Sequence, residues 1–219
     1  MISPRLSREN IVAVAIEMAD EEGLASVTLR GIASRLAVHV TSLYNHVPTK
    51  EAVLVEMVNA LLAEARLPAG RLGWEDWVRQ FAAALRELGR RHPGAFEAFH
   101  HAPAQGERAA ATFEAGFAAF RAAGFDVPAT YSAVKATIVA VLGHVLEDTV
   151  PARNRAAMRT DLGQLPIERF PQVHAMSRVA GKADTFSYLV DALIAGFAAS
   201  KKGATHGARI RSVPAGTSI

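Results

Sequence analysis

Between Val40 and Lys50 the chain reads VTSLYNHVPTK, with more hydrogen-bonding side chains than a short surface helix needs. Two hydroxyls, Thr41 and Ser42, precede Leu43 and Tyr44. An amide, Asn45, and an imidazole, His46, follow, and Lys50 adds a cation beyond Val47–Pro48. An asparagine can bond adenine N6 and N7 together, and a threonine can reach a base-edge acceptor or lay its methyl against that of thymine. A tyrosine hydroxyl or a lysine ammonium suits a phosphate oxygen. A second set could do different chemistry. His144 and Glu147, at i and i+3, could share a proton or a metal, and His100 could join them in acid–base work. Adjacent helical side chains point apart, which weakens His100–His101 as a metal pair, and no metal site is assigned. The chain has no nucleophile elbow, phosphate loop or metal motif, so no enzyme activity and no cofactor are expected.

The chain has 219 residues, half of them hydrophobic, enough for a substantial core. With no cysteine, neither disulfides nor thiolate metal sites are possible. The N-terminus lacks a secretory pattern. The most apolar run, Ala136–Leu146, is broken by His144 and is shorter than the roughly 20 residues a bilayer requires. The expectation is a cytoplasmic protein with no membrane partner. Net charge is only +3, but residues 26–50 carry Arg30, Arg35 and Lys50 with no acid, whereas Glu17, Asp20, Glu21 and Glu22 precede them. One face can therefore be positive beside a negative helix.

Helical periodicity runs through almost the whole chain and predicts an all-α fold of nine to ten helices. Ser7 and Gly23 bracket a first helix whose inward set is Ile11, Val14, Ala15, Met18 and Ala19. Thr28 caps a second helix, Ala37–His39 forms a turn, and the quoted stretch is a third helix ended by Pro48. Thr49 caps a fourth. Further helices are expected over Trp74–Arg91, Ala95–His101, Glu107–Ala123, Pro128–Glu147 and Asp184–Ser200, with 151–180 irregular and Lys201–Ile219 disordered. The division is a three-helix domain over 1–49 and a helical bundle over 50–200.

Two short helices joined by three residues behind a supporting helix make a helix-turn-helix, whose second member enters a major groove. Leu43, Val47 and Val38 would seat that member on Leu29, Ile32 and Leu36. The candidate DNA-facing set is Thr28, Arg30, His39, Val40, Thr41, Ser42, Tyr44, Asn45, His46 and Lys50. A helical hairpin with a polar outer face that meets protein rather than DNA is the alternative. The segments IVAVAIEMADEEG, VTLRGIASRLAV and TSLYNHVPTKEAVL resemble the DNA-binding domain of the tetracycline repressor (TetR) family of bacterial transcription regulators. Ala37 stands where that family's turn usually has glycine, so the turn is expected to be made without a left-handed residue there.

The resemblance continues through GWEDWVRQFAAALRELGRRHPGAF, AAGFDVPATYSAVKATIVAVLGHVLE and FSYLVDALIAGF, which look like the C-terminal domain of the tetracycline repressors. It implies a homodimer built on a four-helix bundle, a small-molecule effector pocket and release from an operator in double-stranded DNA. The matching dimer residues are Tyr131, Val134, Ile138, Val141, Leu142, Val145, Phe186, Leu189, Val190, Leu193, Ile194 and Phe197. The same residues could instead be the core of one subunit. The implied effector-lining set is Arg66, Phe81, Leu85, Phe96, Phe99, His100, Phe113, Phe117, His144 and Glu147. Arg66, Phe81 and Leu85 stand where the resemblance would place a histidine, an asparagine and a phenylalanine. An effector more apolar than tetracycline is therefore expected.

Overall fold

The computed structural model describes residues 6–150, 162, 164–180 and 182–203 and, among them, is all-helical. Helix α1 (Arg8–Glu22) starts where the Ser7 hydroxyl accepts from Asn10 N–H and stops at Gly23, whose φ of 89° an L side chain resists. After one 3-10 turn (Leu24–Ser26), α2 (Leu29–Arg35) is capped by Thr28, which accepts from Gly31 N–H at 3.0 Å. Helix α3 (Val40–Leu43) is shorter than expected. Beyond it the amides of His46 and Val47 both fold back onto the Leu43 carbonyl, each at 2.8 Å. Pro48 can neither donate nor leave Val47 in the α region, so the rod closes into a turn.

The turn between α2 and α3 differs from expectation at Ala37, which itself adopts φ 54°. Val38 N–H bonds the Ala33 carbonyl and Ala37 N–H that of Ser34, the paired closure that ends a helix on a left-handed residue. An L residue there costs about 1–2 kcal/mol. Ala37→Gly should therefore stabilise the chain by about 0.5–1 kcal/mol, part of the relief being offset by the freer unfolded glycine. Thermal denaturation should show a midpoint higher by roughly 2–4 °C, and Ala37→Val should lower it.

Helix α4 (Lys50–Glu64), capped by Thr49, links the two halves. It packs on α1 and on the effector-side helices, and its Val53, Leu54, Met57, Val58, Leu61 and Leu62 are buried in one hydrophobic cluster that runs from Ile11 to Ile194. The bundle comprises α5 (Trp74–Arg91), a 3-10 turn (Ala95–Glu97) continuing into α6 (Ala98–His101), α7 (Gly106–Ala122), α8 (Val127–Thr149), α9 (Pro171–Ser177) and α10 (Thr185–Gly203). Helix α5 lies at the centre, against α7, α8 and α10. Trp74, Phe120, Phe125 and Phe197 cluster at its N-terminal end, edge-to-face except for the tilted Trp74–Phe120 pair. The expected α-helix over Ala95–His101 is 3-10 in its first half. Helix α10 extends three residues into the tail expected to be disordered; 204–219, like 151–161, lie outside the described residues. At 23 residues α8 is longer than the apolar run read from the sequence, and it is long and apolar enough to cross a bilayer by length and composition alone. Here it packs within the bundle.

Candidate nucleic-acid interface and effector cavity

Leu43 and Val47 are fully buried in the same hydrophobic cluster as Ile32, which fixes the roll of the α3 segment. That roll leaves Thr41, Tyr44 and Asn45 exposed, with Tyr44 at 52%. Thr28, Arg30 and His39 are exposed beside them, and Ser42, His46 and Lys50 are half-buried. Val40 departs from expectation, because its side chain packs against the core. Arg35 does not add to the positive face; its guanidinium reaches back to Glu21 at 2.8 Å and Glu22 at 2.5 Å. At the start of α4 the Glu51 carboxyl is held below its usual range, first by its own backbone N–H and then by the Thr49 hydroxyl. That helix end favours an anion, which is the property a phosphate contact at Lys50 would use.

The bundle holds a narrow cavity of about 50 Å³ lined by Leu62, Leu67, Phe81, Leu85, Phe99, Ala104, Ala109, Thr112, Phe113, Ile138 and Leu142. Phe81, Leu85, Phe99 and Phe113 were foreseen as lining; the other candidates are not part of the wall. Phe96 is fully buried behind Phe99, ring centroids 4.9 Å apart, and Phe117 stacks behind Phe113. Arg66 points outward and its neighbour Leu67 lines instead. His100 is exposed against His101, which pairs with Glu97 at 3.7 Å, a carboxylate four residues back. His144 lies between α8 and α10, with its ring edge on Phe186 and Nε2 3.0 Å from the Thr185 hydroxyl. Glu147 is exposed. The acid–base trio of His100, His144 and Glu147 is therefore not assembled around this cavity. Among the described residues no group of three or more metal-ligating side chains is gathered.

Thr112 is the only polar residue in the lining, and its hydroxyl already donates to the Arg108 carbonyl at 3.0 Å. Drug-sized ligands occupy roughly 300–1,000 Å³, so this cavity must widen to hold one. A wider groove of about 280 Å³ between α1 and α4 is open to solvent and rimmed by the Arg8–Glu56 ion pair, Glu9 and Glu64.

Most of the expected dimer residues are buried within the single subunit. Val134, Val141, Val145, Phe186, Val190 and Ile194 are buried inside the subunit, Ile138 and Leu142 line the cavity, and Leu189, Leu193 and Phe197 are half-buried. Tyr131 alone is exposed, at 61%. The outward face of α8 carries Ser132, Ala136, Val139 and Gly143; that of α10 carries Tyr188, Ala192, Ala195 and Ala199. Both sets follow i, i+4, i+7, i+11, the spacing of a coiled-coil seam.

A recognition-type helix seated in a three-helix unit, continuous with a helical bundle around an apolar cavity, defines a helix-turn-helix regulator with an effector domain. Residues 11–57 match the family model described as bacterial regulatory proteins, tetR family, and residues 67–200 match the tetracyclin repressor-like C-terminal domain. The chain belongs to the tetR family of bacterial regulatory proteins. Relatives include an HTH-type transcriptional regulator of Saccharopolyspora erythraea, 36% identical over 67% of this chain and 63% of that one. The chain thus spans less than two thirds of that relative. The class D tetracycline repressor of Escherichia coli is 30% identical over 76% of each chain. Among solved structures, apo ActR of Streptomyces coelicolor superposes with a TM-score of 0.77 at 23% identity, covering 91% of this chain and 98% of that one. A TetR variant of Acinetobacter baumannii in complex with minocycline gives 0.68 at 26% identity, covering 90% and 99%.

Proposed function

We propose that this chain is a repressor that binds a pseudo-palindromic operator as a homodimer and is released by a small, largely apolar effector, acting in the cytoplasm. The observation that carries the reading is the seating of α3. Buried Leu43 and Val47 turn Thr41, Tyr44 and Asn45 outward, on the same hydrophobic cluster that lines the apolar cavity. Residues 1–49 act as the reader and 50–200 as the effector and dimerisation domain. ActR has been crystallised with actinorhodin, which supports effector binding by proteins of this fold. The wall here offers no charged side chain and one committed hydroxyl, so the effector is recognised by shape and apolar contact. The dimer forms through the exposed faces of α8 and α10, and its two α3 segments enter successive major grooves roughly 34–36 Å apart.

The reader assignment is checked on a duplex selected by the protein from a randomised library. Lys50→Ala should weaken binding to all sequences alike and reduce the salt slope by about one. Thr41→Ala or Asn45→Ala should relax preference at individual base pairs, at about 1–3 kcal/mol for a good contact. A salt slope left intact by Lys50→Ala removes the phosphate contact. Identical selected sequences for Thr41→Ala and wild type remove Thr41 as a reader.

A further inference from the structure

Asp20 sits in the last turn of α1, where a carboxylate is disfavoured by the helix dipole. Its compensation comes from the other domain. Oδ1 accepts from the backbone N–H groups of Gly94, at 3.0 Å, and Ala95, at 2.9 Å. Oδ2 lies 2.7 Å from Nδ1 of His92, the C-cap of α5. The opposite ring nitrogen, Nε2, lies 3.1 Å from Glu64 Oε2 on α4, and Arg91 reaches that same oxygen at 3.4 Å. One imidazole therefore stands between carboxylates from α1 of the reader domain and from the connecting helix α4.

A neutral imidazole has a single N–H and can satisfy one of these oxygens; the other then meets a lone pair. The imidazolium donates to both. The charged groups that face the ring are Asp20 from α1, Glu64 from α4 and Arg91 from its own helix, with Glu87 on Arg91 a turn further back at 3.9 Å. We propose that Asp20 and His92 form a proton-dependent clamp that fixes the reader helices on the effector domain, complete when His92 carries both protons and half-made at higher pH. Both are positioning residues: they act through α1 and α4 rather than on DNA.

The clamp also lies close to the cavity. Ala95, whose amide holds Asp20, precedes Phe96, which is fully buried under Phe99, and Phe99 is part of the cavity wall. An effector that widens the cavity at Phe99 displaces the segment whose amides grip the reader. This regulatory consequence rests on the function proposed above; the clamp itself does not.

The test uses the full chain without DNA or effector. Hydrogen exchange at the Gly94 and Ala95 amides, corrected for intrinsic rates, is measured at about pH 6 and about pH 8. Amides in the middle of α8 serve as the internal reference. The expected result is roughly tenfold stronger protection at the lower pH, the worth of one charge-assisted hydrogen bond. His92→Gln should abolish that difference, and Asp20→Asn should lower protection at both pH values. Equal protection at the two pH values in the wild type, or a pH response retained by His92→Gln, overturns the clamp. On the selected duplex, His92→Gln should flatten the pH profile of affinity while Lys50→Ala keeps it. An unchanged profile in His92→Gln overturns the regulatory role. A wild type that selects no duplex sinks the repressor reading and leaves the exchange result to decide the clamp.

Discussion

In the proposed homodimer, arginine at both Gly143 and Ala195 should separate the subunits without unfolding them. Nothing lies within 4 Å of where a Cβ at Gly143 would stand, and Ala195 is exposed, so neither guanidinium disturbs the subunit. The seams containing them are made of Ser, Ala, Gly and one Val on α8, and Ala under one Tyr on α10. Small residues allow helix axes to approach closely, and the exposed Val139 and Tyr188, the latter at 77%, supply apolar area for a partner to cover. In a two-fold interface each substitution appears twice, so four like charges meet at one seam. Sedimentation should show the mass of a single subunit, with helical content retained. Operator affinity should fall by roughly 10²–10⁴-fold, since each reader would then bind its half-site alone. Val141→Ala, on the buried face of the same helix, should lower thermal stability and leave the mass that of a dimer. A dimer surviving in the double arginine variant removes this face as the interface.

That pair of variants also marks where sequence reading reached its limit. The first four helices were legible because their signals are local: hydroxyl caps at Ser7, Thr28 and Thr49, a glycine stop at Gly23, a proline stop after Val47. The polar face of α3 followed from Leu43 in the helix and Val47 in the turn beyond it, the strongly apolar positions of that stretch. Helix α8 offers no such contrast. It is apolar nearly all round, so its hydrophobic pattern does not separate the face that packs inside the subunit, where Val134, Val141 and Val145 are buried, from the one left exposed. The exposed stripe is built from alanine, serine and glycine, which carry little hydrophobic signal. The cavity failed differently. Phe96 and Phe99 are both apolar and three residues apart, but one forms the wall and the other stands behind it, a distinction set by packing between helices. Asp20 and His92 are 72 residues apart, and nothing local in either marks the contact.

Among the described glycines, Gly94→Ala should have the largest effect. A Cβ there would stand 1.9 Å from the Ala19 carbonyl oxygen, 2.6 Å from its carbon and 2.9 Å from Asp20 Cα. All three are backbone atoms of α1, so no rotamer change relieves the overlap. Either the 94–95 segment or the end of α1 must move. Each route pulls the Gly94 and Ala95 amides away from Asp20 and leaves a part-buried carboxylate facing the end of a helix dipole. Overpacking of this kind costs about 1–3 kcal/mol, and the lost hydrogen bonds add to it. For a chain of this size the unfolding midpoint should drop by roughly 5–10 °C. The reader should also sit at a changed angle to the bundle, so affinity for the selected duplex should fall more than the loss of stability explains. Gly116→Ala provides the comparison. Its Cβ would come within 2.6 Å of the Trp77 ring, in the bundle and away from α1. That variant should lose a similar amount of stability while the folded fraction binds DNA normally. Equal losses of affinity in the two variants, at matched folded fraction, would mean that the Ala19–Gly94 contact has no special role in setting the reader.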